Sequence, residues 1–363
     1  MTMINGATGV DTSAFCRRRT YFLSGFDPRG VAHYQRLFAG VLKQRGVRLG
    51  PRQAGEHITR WPLAGRAAEL AFLHWDDIAR AHWPTHPLLL LRQLLGFAWI
   101  YVSRLWLATA RLCPGVALCG LYPLMVLLLV LALALAWAAL SAAVWLPLAP
   151  LVLVLVLRQG WRWADRLGVV WLSRSILFTD RLGKARDRTL PQRVRELAQA
   201  LIALERNDPS AEVVLVGHSS GSFVMVMLAA ELRRQSAAEP LLSKLRLLSL
   251  GQNLANLALY PAAHAFRADL QLLAAEPRLP WRDCSSRHDL LCFAGVDPYR
   301  ASGLPEADGG SYPQLELLDL RTPRQLRSRW QWLGVLFDLH FDYLRDPATG
   351  VDFAGLIAAE VTC

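Results

Sequence analysis

The chain has 363 residues, enough for one large domain or two, with 53% hydrophobic residues and a mean hydropathy of +0.24. Net charge is +11, carried by arginine rather than lysine (Lys43, Lys184 and Lys244 are the only lysines), yet no zinc finger, RNA-binding signature or clustered basic arm accompanies it. That excludes nucleic acid as the expected partner and favours an anionic membrane surface. The six cysteines (Cys16, Cys113, Cys119, Cys284, Cys292 and Cys363) form no Cys-x-x-Cys pair, so a reduced chain without a disulfide framework or zinc site is expected.

In chain order, residues 1–14 are small and polar with no apolar core, which predicts a disordered leader rather than a signal peptide. A short strand follows at 20–23, then Ser24-Gly25-Phe26-Asp27-Pro28-Arg29-Gly30. A helix marked by Tyr34, Leu37, Phe38, Val41 and Leu42 comes next, and strands near 57–63 and 70–75. The first part of the core is thus 15–84. Residues 85–164 form an insertion whose centre, 116–157, holds 42 residues without a charge. As one helix that belt would measure ~63 Å against a hydrocarbon core of ~30 Å, so two spans joined by a turn are expected. The turn lies either at Trp145-Leu146-Pro147-Leu148-Ala149-Pro150 or nearer Trp137 to Ser141.

No Asp or Glu occurs from Ile78 to Ala164, whereas Arg80, Arg92, Arg104, Arg111, Arg158 and Arg162 do. By the positive-inside rule both flanks of the hairpin are cytoplasmic, as for a protein of a bacterial inner membrane. Residues 88–112 read as a helix lying in the interface, with Arg92, Gln93, Ser103, Arg104 and Arg111 on a polar arc. Arg158, Arg162, Asp165 and Arg166 likewise share a face beside Trp161, Trp163 and Trp171.

The second part of the core, 165–363, contains a helix at 193–206 and strands near 212–216, 245–250, 279–285 and 315–320. Strands alternating with helices predict an α/β fold with a mainly parallel sheet covered on both faces. The strand at 212–216 stops at Gly217-His218-Ser219-Ser220-Gly221, and an apolar helical stripe through Phe223, Val224, Met227, Leu228 and Leu232 follows. Strand, Gly-x-Ser-x-Gly, helix is the order of a nucleophile elbow: Ser219 is lifted off the sheet, and Gly217 and Gly221 leave room for close backbone. The plainer alternative is a turn whose serines merely cap the helix.

On these residues the chain resembles the α/β-hydrolase superfamily over about 20–77 and 165–345, with the apolar belt inserted. The resemblance implies a nucleophile, an acid and a histidine in that order. His340 matches the family's histidine by position, since His264 comes too early and His288 lies beside the acid candidate. Asp289 matches the acid, with Asp283 as runner-up and Asp297 read as a turn. The oxyanion hole implied is the amides of Ser220 and Phe26, although Ser24-Gly25 replaces the His-Gly common in lipases. The function implied is a membrane-anchored serine hydrolase acting through an acyl-enzyme on a hydrophobic, lipid-like ester, with the bilayer as partner and no cofactor or metal. The rivals are an acyltransferase or thioesterase with the same triad, and an inactive membrane scaffold.

Overall fold

The computed structural model describes residues 15–83, 86–275, 279–305, 312–320, 339–345 and 351–362. The leader expected at 1–14 lies outside them. Among the described residues ten strands occur: β1 (Phe15–Cys16), β2 (Arg18–Leu23), β3 (Gln53–Ala54), β4 (Ile58–Pro62), β5 (Ala68–Leu73), β6 (Glu212–His218), β7 (Leu245–Leu250), β8 (Trp281–Ser285), β9 (Gln314–Leu317) and β10 (Val361–Thr362). Eight of them make one sheet in the order β3-β4-β5-β2-β6-β7-β8-β9. Every pairing from β5 to β9 is parallel, and only the β3-β4-β5 edge is antiparallel. The protein is therefore α/β with a mixed, mostly parallel sheet. β1 and β10 pair separately, antiparallel.

The period of two along each strand divides the core. Tyr21 and Leu23 of β2, Ala71 and Leu73 of β5, and Val213 and Leu215 of β6 point into one hydrophobic layer; Phe22, Leu70, Phe72, Val214 and Val216 point into the other. Burial on both faces is why β6 reads as an unbroken apolar run rather than an alternating one. The helices used below are α1 (Gly30–Lys43), α2 (Asp76–Ala81), α3 (Pro87–Ile100), α4 (Trp106–Leu112), α5 (Pro114–Val144), α6 (Leu148–Arg166), α7 (Val169–Gly183), α8 (Thr189–Asn207) and α9 (Gly221–Arg234). α7, α8 and α9 cover the first layer, and α1 with Phe353–Ala358 covers the second.

At the end of the sheet where its parallel strands begin, Arg19 is fully buried and bridges Glu69 and Glu205, the latter at 2.6 Å. Lys244 and Tyr21 also reach Glu205, at 2.9 Å each. A buried charge needs this degree of pairing to be tolerated.

The insertion leaves the sheet between β5 and β6. The helical segments Pro87–Leu112 and Pro114–Val144 are each long and apolar enough to cross a membrane. They differ in what they touch. Leu90, Leu94, Phe97, Tyr101 and Leu105 of the first are buried against the protein. Most of α5 stands clear, with Met125, Leu129, Leu133, Leu135, Trp137 and Leu140 exposed. A π-helical turn at Tyr101–Leu105 separates α3 from α4 and rotates the faces. Arg92, Ser103, Arg104 and Arg111 are all exposed, and Trp99 and Val102 are exposed with them.

Of the two places expected for the hairpin turn, the structure has the first: the chain turns at Trp145-Leu146-Pro147, where Pro147 caps α6, whereas Trp137 to Ser141 lie inside α5. The expectation of a wholly reduced chain fails: Cys16 of β1 is disulfide-bonded, whereas Cys113, Cys119, Cys284 and Cys292 are free.

Candidate active site

The elbow forms because β6 runs directly into α9 with Ser219 between them in the left-handed region, at φ +56°. A non-glycine residue there is strained by about 1–3 kcal/mol and needs support. Support comes from hydrogen bonds on each side. The Ser219 amide donates to Leu250 O at 2.9 Å, and Ser219 O accepts from the Ser222 amide at 3.0 Å and Ser222 Oγ at 2.6 Å. The Ser222 hydroxyl in turn accepts from the Asn253 amide at 3.1 Å. Both elbow glycines are sterically required. A Cβ on Gly217 would fall 2.7 Å from Gly221 O, and one on Gly221 would meet the carbonyls of Leu23 and Ser24. Ser220 occupies the N-cap position of α9 but makes no side-chain capping bond, so capping does not explain the serines.

The acid and histidine are brought together. β8 ends at Ser285, and Asp289 lies in the loop beyond it, buried, its amide donating to Ser286 O at 3.1 Å. His340, also buried, donates from Nδ1 to Asp289 Oδ2 at 2.7 Å, while the Leu291 amide donates to Oδ1 at 2.9 Å. Burial pushes the Asp289 carboxyl upward, but His340 and the Leu291 amide outweigh it and hold it below the ordinary carboxylate range. The ionised acid fixes the proton of neutral His340 on Nδ1, leaving the Nε2 lone pair free as a base. Nε2 is buried and has no hydrogen-bond partner.

The serine–histidine contact is open. Ser219 Oγ accepts instead from Asn253 Nδ2 at 3.3 Å, which leaves the hydroxyl proton available to donate. Such contacts commonly tighten only when substrate is bound. Asp283, the runner-up acid, sits within β8 opposite Ser249 and accepts from the Ser249 hydroxyl. It is fully buried away from His340, and burial pushes its pKa up to about 7. Asp297 caps the short helix Pro298–Ala301, accepting from the Tyr299 amide at 2.8 Å. His288 is exposed, 3.7 Å from Asp319, and His264 opens the helix His264–Ala274.

The loop expected to supply the oxyanion donor lies against the serine. A Cβ on Gly25 would come 2.9 Å from Ser219 Cβ and 3.3 Å from its Oγ. Phe26 is fully buried, stacked on Phe178 at 5.0 Å between centroids, and its carbonyl accepts from Trp171 Nε1 at 2.9 Å. Trp75 Nε1 anchors the carbonyl of Ser24 at 3.0 Å. Asp27 accepts from the Arg29 amide at 2.9 Å and from Tyr34 at 3.1 Å, so Asp27-Pro28-Arg29-Gly30 makes a turn that holds the loop in place. Among the described residues, no acceptor occupies the amides of Phe26 or Ser220.

Several contributors were not visible in the sequence. His218 donates from Nε2 to His340 O at 2.8 Å, with the two rings 5.0 Å apart. Burial, reinforced by the neighbouring His340, pushes His218 down to about 3, so it stays neutral and does not compete for the proton. Gln252 ties the loop after β7 to Phe293 O and Val296 O at 2.9 and 3.0 Å. Tyr343 accepts from the Ser286 amide at 2.9 Å, holding the segment of His340 to the Asp289 loop. A polar side chain just past the end of β7 was the available signal for Asn253; nothing local marked the others.

Above Ser219 and Ser220 opens a narrow cleft of about 50 Å³. Its apolar walls come largely from the insertion and α7: Phe97, Tyr101, Val116, Trp171, Leu172 and Ile176. The base of α5 is pinned there, with Val116 packed on Ala255, Phe293 and Val296, and Tyr101 donating to Ala117 O at 3.2 Å. Among the described residues no three His, Cys, Asp or Glu side chains gather as a metal site would require.

No family model matches the chain, and neither a curated protein nor a solved structure matches it. The class the site defines therefore rests on its geometry: a strained serine elbow whose His218 is hydrogen-bonded to the carbonyl of His340, itself paired with the buried Asp289 carboxylate.

Proposed function

We propose that the protein is a membrane-anchored serine hydrolase of the α/β-hydrolase kind, cleaving a hydrophobic ester. The observation that carries this is the buried Asp289–His340 pair at 2.7 Å, with the His340 carbonyl bonded to His218, the residue before the positive-φ Ser219. In the reaction, Ser219 Oγ bonds to the carbonyl carbon as its proton passes to His340 Nε2. Asp289 steadies the imidazolium. The oxyanion takes hydrogen bonds from the amides of Phe26 and Ser220, beside the N-terminal end of α9. Collapse expels the alcohol, which leaves with the proton from Nε2. Water, deprotonated by the same nitrogen, then releases the acid from Ser219.

The apolar cleft supports an acyl chain as the group bound, and its construction from insertion helices supports a lipid as the source. The arginine excess around the hairpin supports the cytoplasmic face as the side on which the sheet lies. The test is a fluorophosphonate probe on detergent-solubilised full-length protein. Labelling that disappears in Ser219→Ala is expected. An unlabelled native protein, beside a reactive control hydrolase, overturns the reading.

A further inference from the structure

We infer that the α5–α6 hairpin enters a single leaflet from the side of the sheet and ends within the hydrocarbon, so that the protein is monotopic and its lipid partner is the near leaflet. This rests on the membrane part of the proposed function and replaces the two-span hairpin expected from sequence.

The limiting arm is α6. It supplies ten uncharged residues, 148–157, before Arg158. At 1.5 Å per residue these cover ~15 Å, half of a hydrocarbon core of ~30 Å. α5 is longer, but one face of its first half packs against the rest of the protein. Val116 and Ala117 are buried at the cleft, Tyr122 donates to Leu167 O at 3.4 Å, and Leu127 packs with Leu90, Leu94, Ala164 and Val169. Gly160 of α6 lies directly against Val130. Beyond that level α5 extends only over 131–144, a reach of ~21 Å, still short of ~30 Å.

The start of α6, at the tip, is built to do without water. The first four backbone amides of a helix normally lack partners within it, and in hydrocarbon each must be satisfied internally. Here those positions are Pro147, Leu148, Ala149 and Pro150. The Leu148 amide donates to Trp145 O at 2.9 Å and the Ala149 amide to Leu146 O at 3.2 Å. The two prolines have no N–H to satisfy. The nearest hydroxyl, Ser141, donates to Trp137 O at 2.9 Å within α5. Val144, Trp145 and Leu146 are 61–81% exposed, and no charged residue stands at the tip to meet a far aqueous phase.

At the other end of the protruding arms stands a row of arginines on one face of α6, suited to anionic headgroups. Arg158, Arg162 and Arg166 are exposed on α6, and the Arg166 guanidinium lies 5.6 Å over the Trp163 ring. Arginine with tryptophan at one level is the pattern of an interfacial belt.

The experiment places a spin label at Leu146→Cys, and separately at Val144→Cys and Arg158→Cys, in full-length protein in phosphatidylglycerol–phosphatidylethanolamine vesicles, with the signal of the unsubstituted protein subtracted. Collision with oxygen exceeding collision with a water-soluble nickel chelate at 144 and 146, and the reverse at 158, is expected. Chelate access at 146 overturns the inference in favour of a full span. Protection from both colliders, with dipolar broadening between copies, overturns it in favour of a self-association surface. Protein that fails to float with vesicles overturns the membrane reading as well. Fluorophosphonate labelling is unaffected by any of these outcomes, so the hydrolase reading stands or falls separately.

Discussion

Replacing Asp289 with asparagine tests the acid by tautomer control, and the structure sets the direction. The native side chain serves two donors: the Leu291 amide at Oδ1, 2.9 Å, and His340 Nδ1 at Oδ2, 2.7 Å. The Leu291 amide can only donate, so in Asp289→Asn the new side chain must turn its carbonyl oxygen toward it. Its NH₂ then faces His340 Nδ1, which has to accept, and the imidazole proton moves to Nε2. A protonated Nε2 cannot take the hydroxyl proton of Ser219. In a serine protease the equivalent change lowers turnover by about 10⁴, or ~5.5 kcal/mol in the barrier, and a loss of that order is expected here. The assay is the pseudo-first-order rate of fluorophosphonate labelling together with turnover of a medium-chain nitrophenyl ester, on protein whose melting temperature is checked. Asp283→Asn is the control, because that carboxyl bonds Ser249 inside β8 rather than His340. Asp289→Asn retaining activity within about tenfold, a loss of only ~1.4 kcal/mol, would refute the reasoning, as would an equal loss in Asp283→Asn.

Asp283 also gives a pH signature. Its pKa, about 7 in the fold against 3.8 as the ordinary value, means the folded state holds a proton that the unfolded state releases. Stability should therefore fall as pH rises from about 4 to 7 and level off above it, by roughly 4 kcal/mol at most; denaturant titrations should show Asp283→Asn flattening that slope, and an unchanged slope would rule the group out. Gly25→Ala should push the oxyanion loop off Ser219, since the new methyl would sit 2.9 Å from Ser219 Cβ. A loss of about 10²–10³ in kcat is expected, and a full-speed variant would place the second donor elsewhere. Protease added to intact cells should leave the sheet domain whole if the arginine asymmetry sets its side. Cleavage from outside would make the Cys16 disulfide the better guide to compartment.

The elements legible from sequence were those whose signal is local. β6 and its elbow were readable because a strand buried on both faces must be continuously apolar and because backbone crowding at Gly217 and Gly221 admits no side chain. β7 falls at its expected bounds, Leu245–Leu250, although Arg246 and Ser249 interrupt its apolar run. Asp289 could be preferred to Asp283 only by guessing where β8 ends, a matter of strand register against β7 and β9. What stayed hidden depends on distant contacts. Asn253 reaches Ser219 across 34 positions, His218 meets the carbonyl of His340 across 122, and the exclusion of a side chain at Gly25 is imposed by Ser219. The hairpin turn was ambiguous because an apolar belt has no polar punctuation; proline, not hydropathy, decided it. The π-helical turn at Tyr101–Leu105 has no sequence mark that we can name.

The position of the insertion imposes an order on synthesis. β2 is central to the sheet, yet its partner β6 lies across the whole apolar belt, with Leu23 paired to Gly217. A ribosome finishing α5 still has residues 145–218 to make, roughly 4–15 s at about 5–20 residues per second, before that pairing is possible. Through that interval the hairpin emerges with no folded domain to shelter it. On the membrane reading proposed above, the bilayer, or the machinery delivering the chain to it, accepts the hairpin first, and the sheet closes afterwards with the hairpin already embedded.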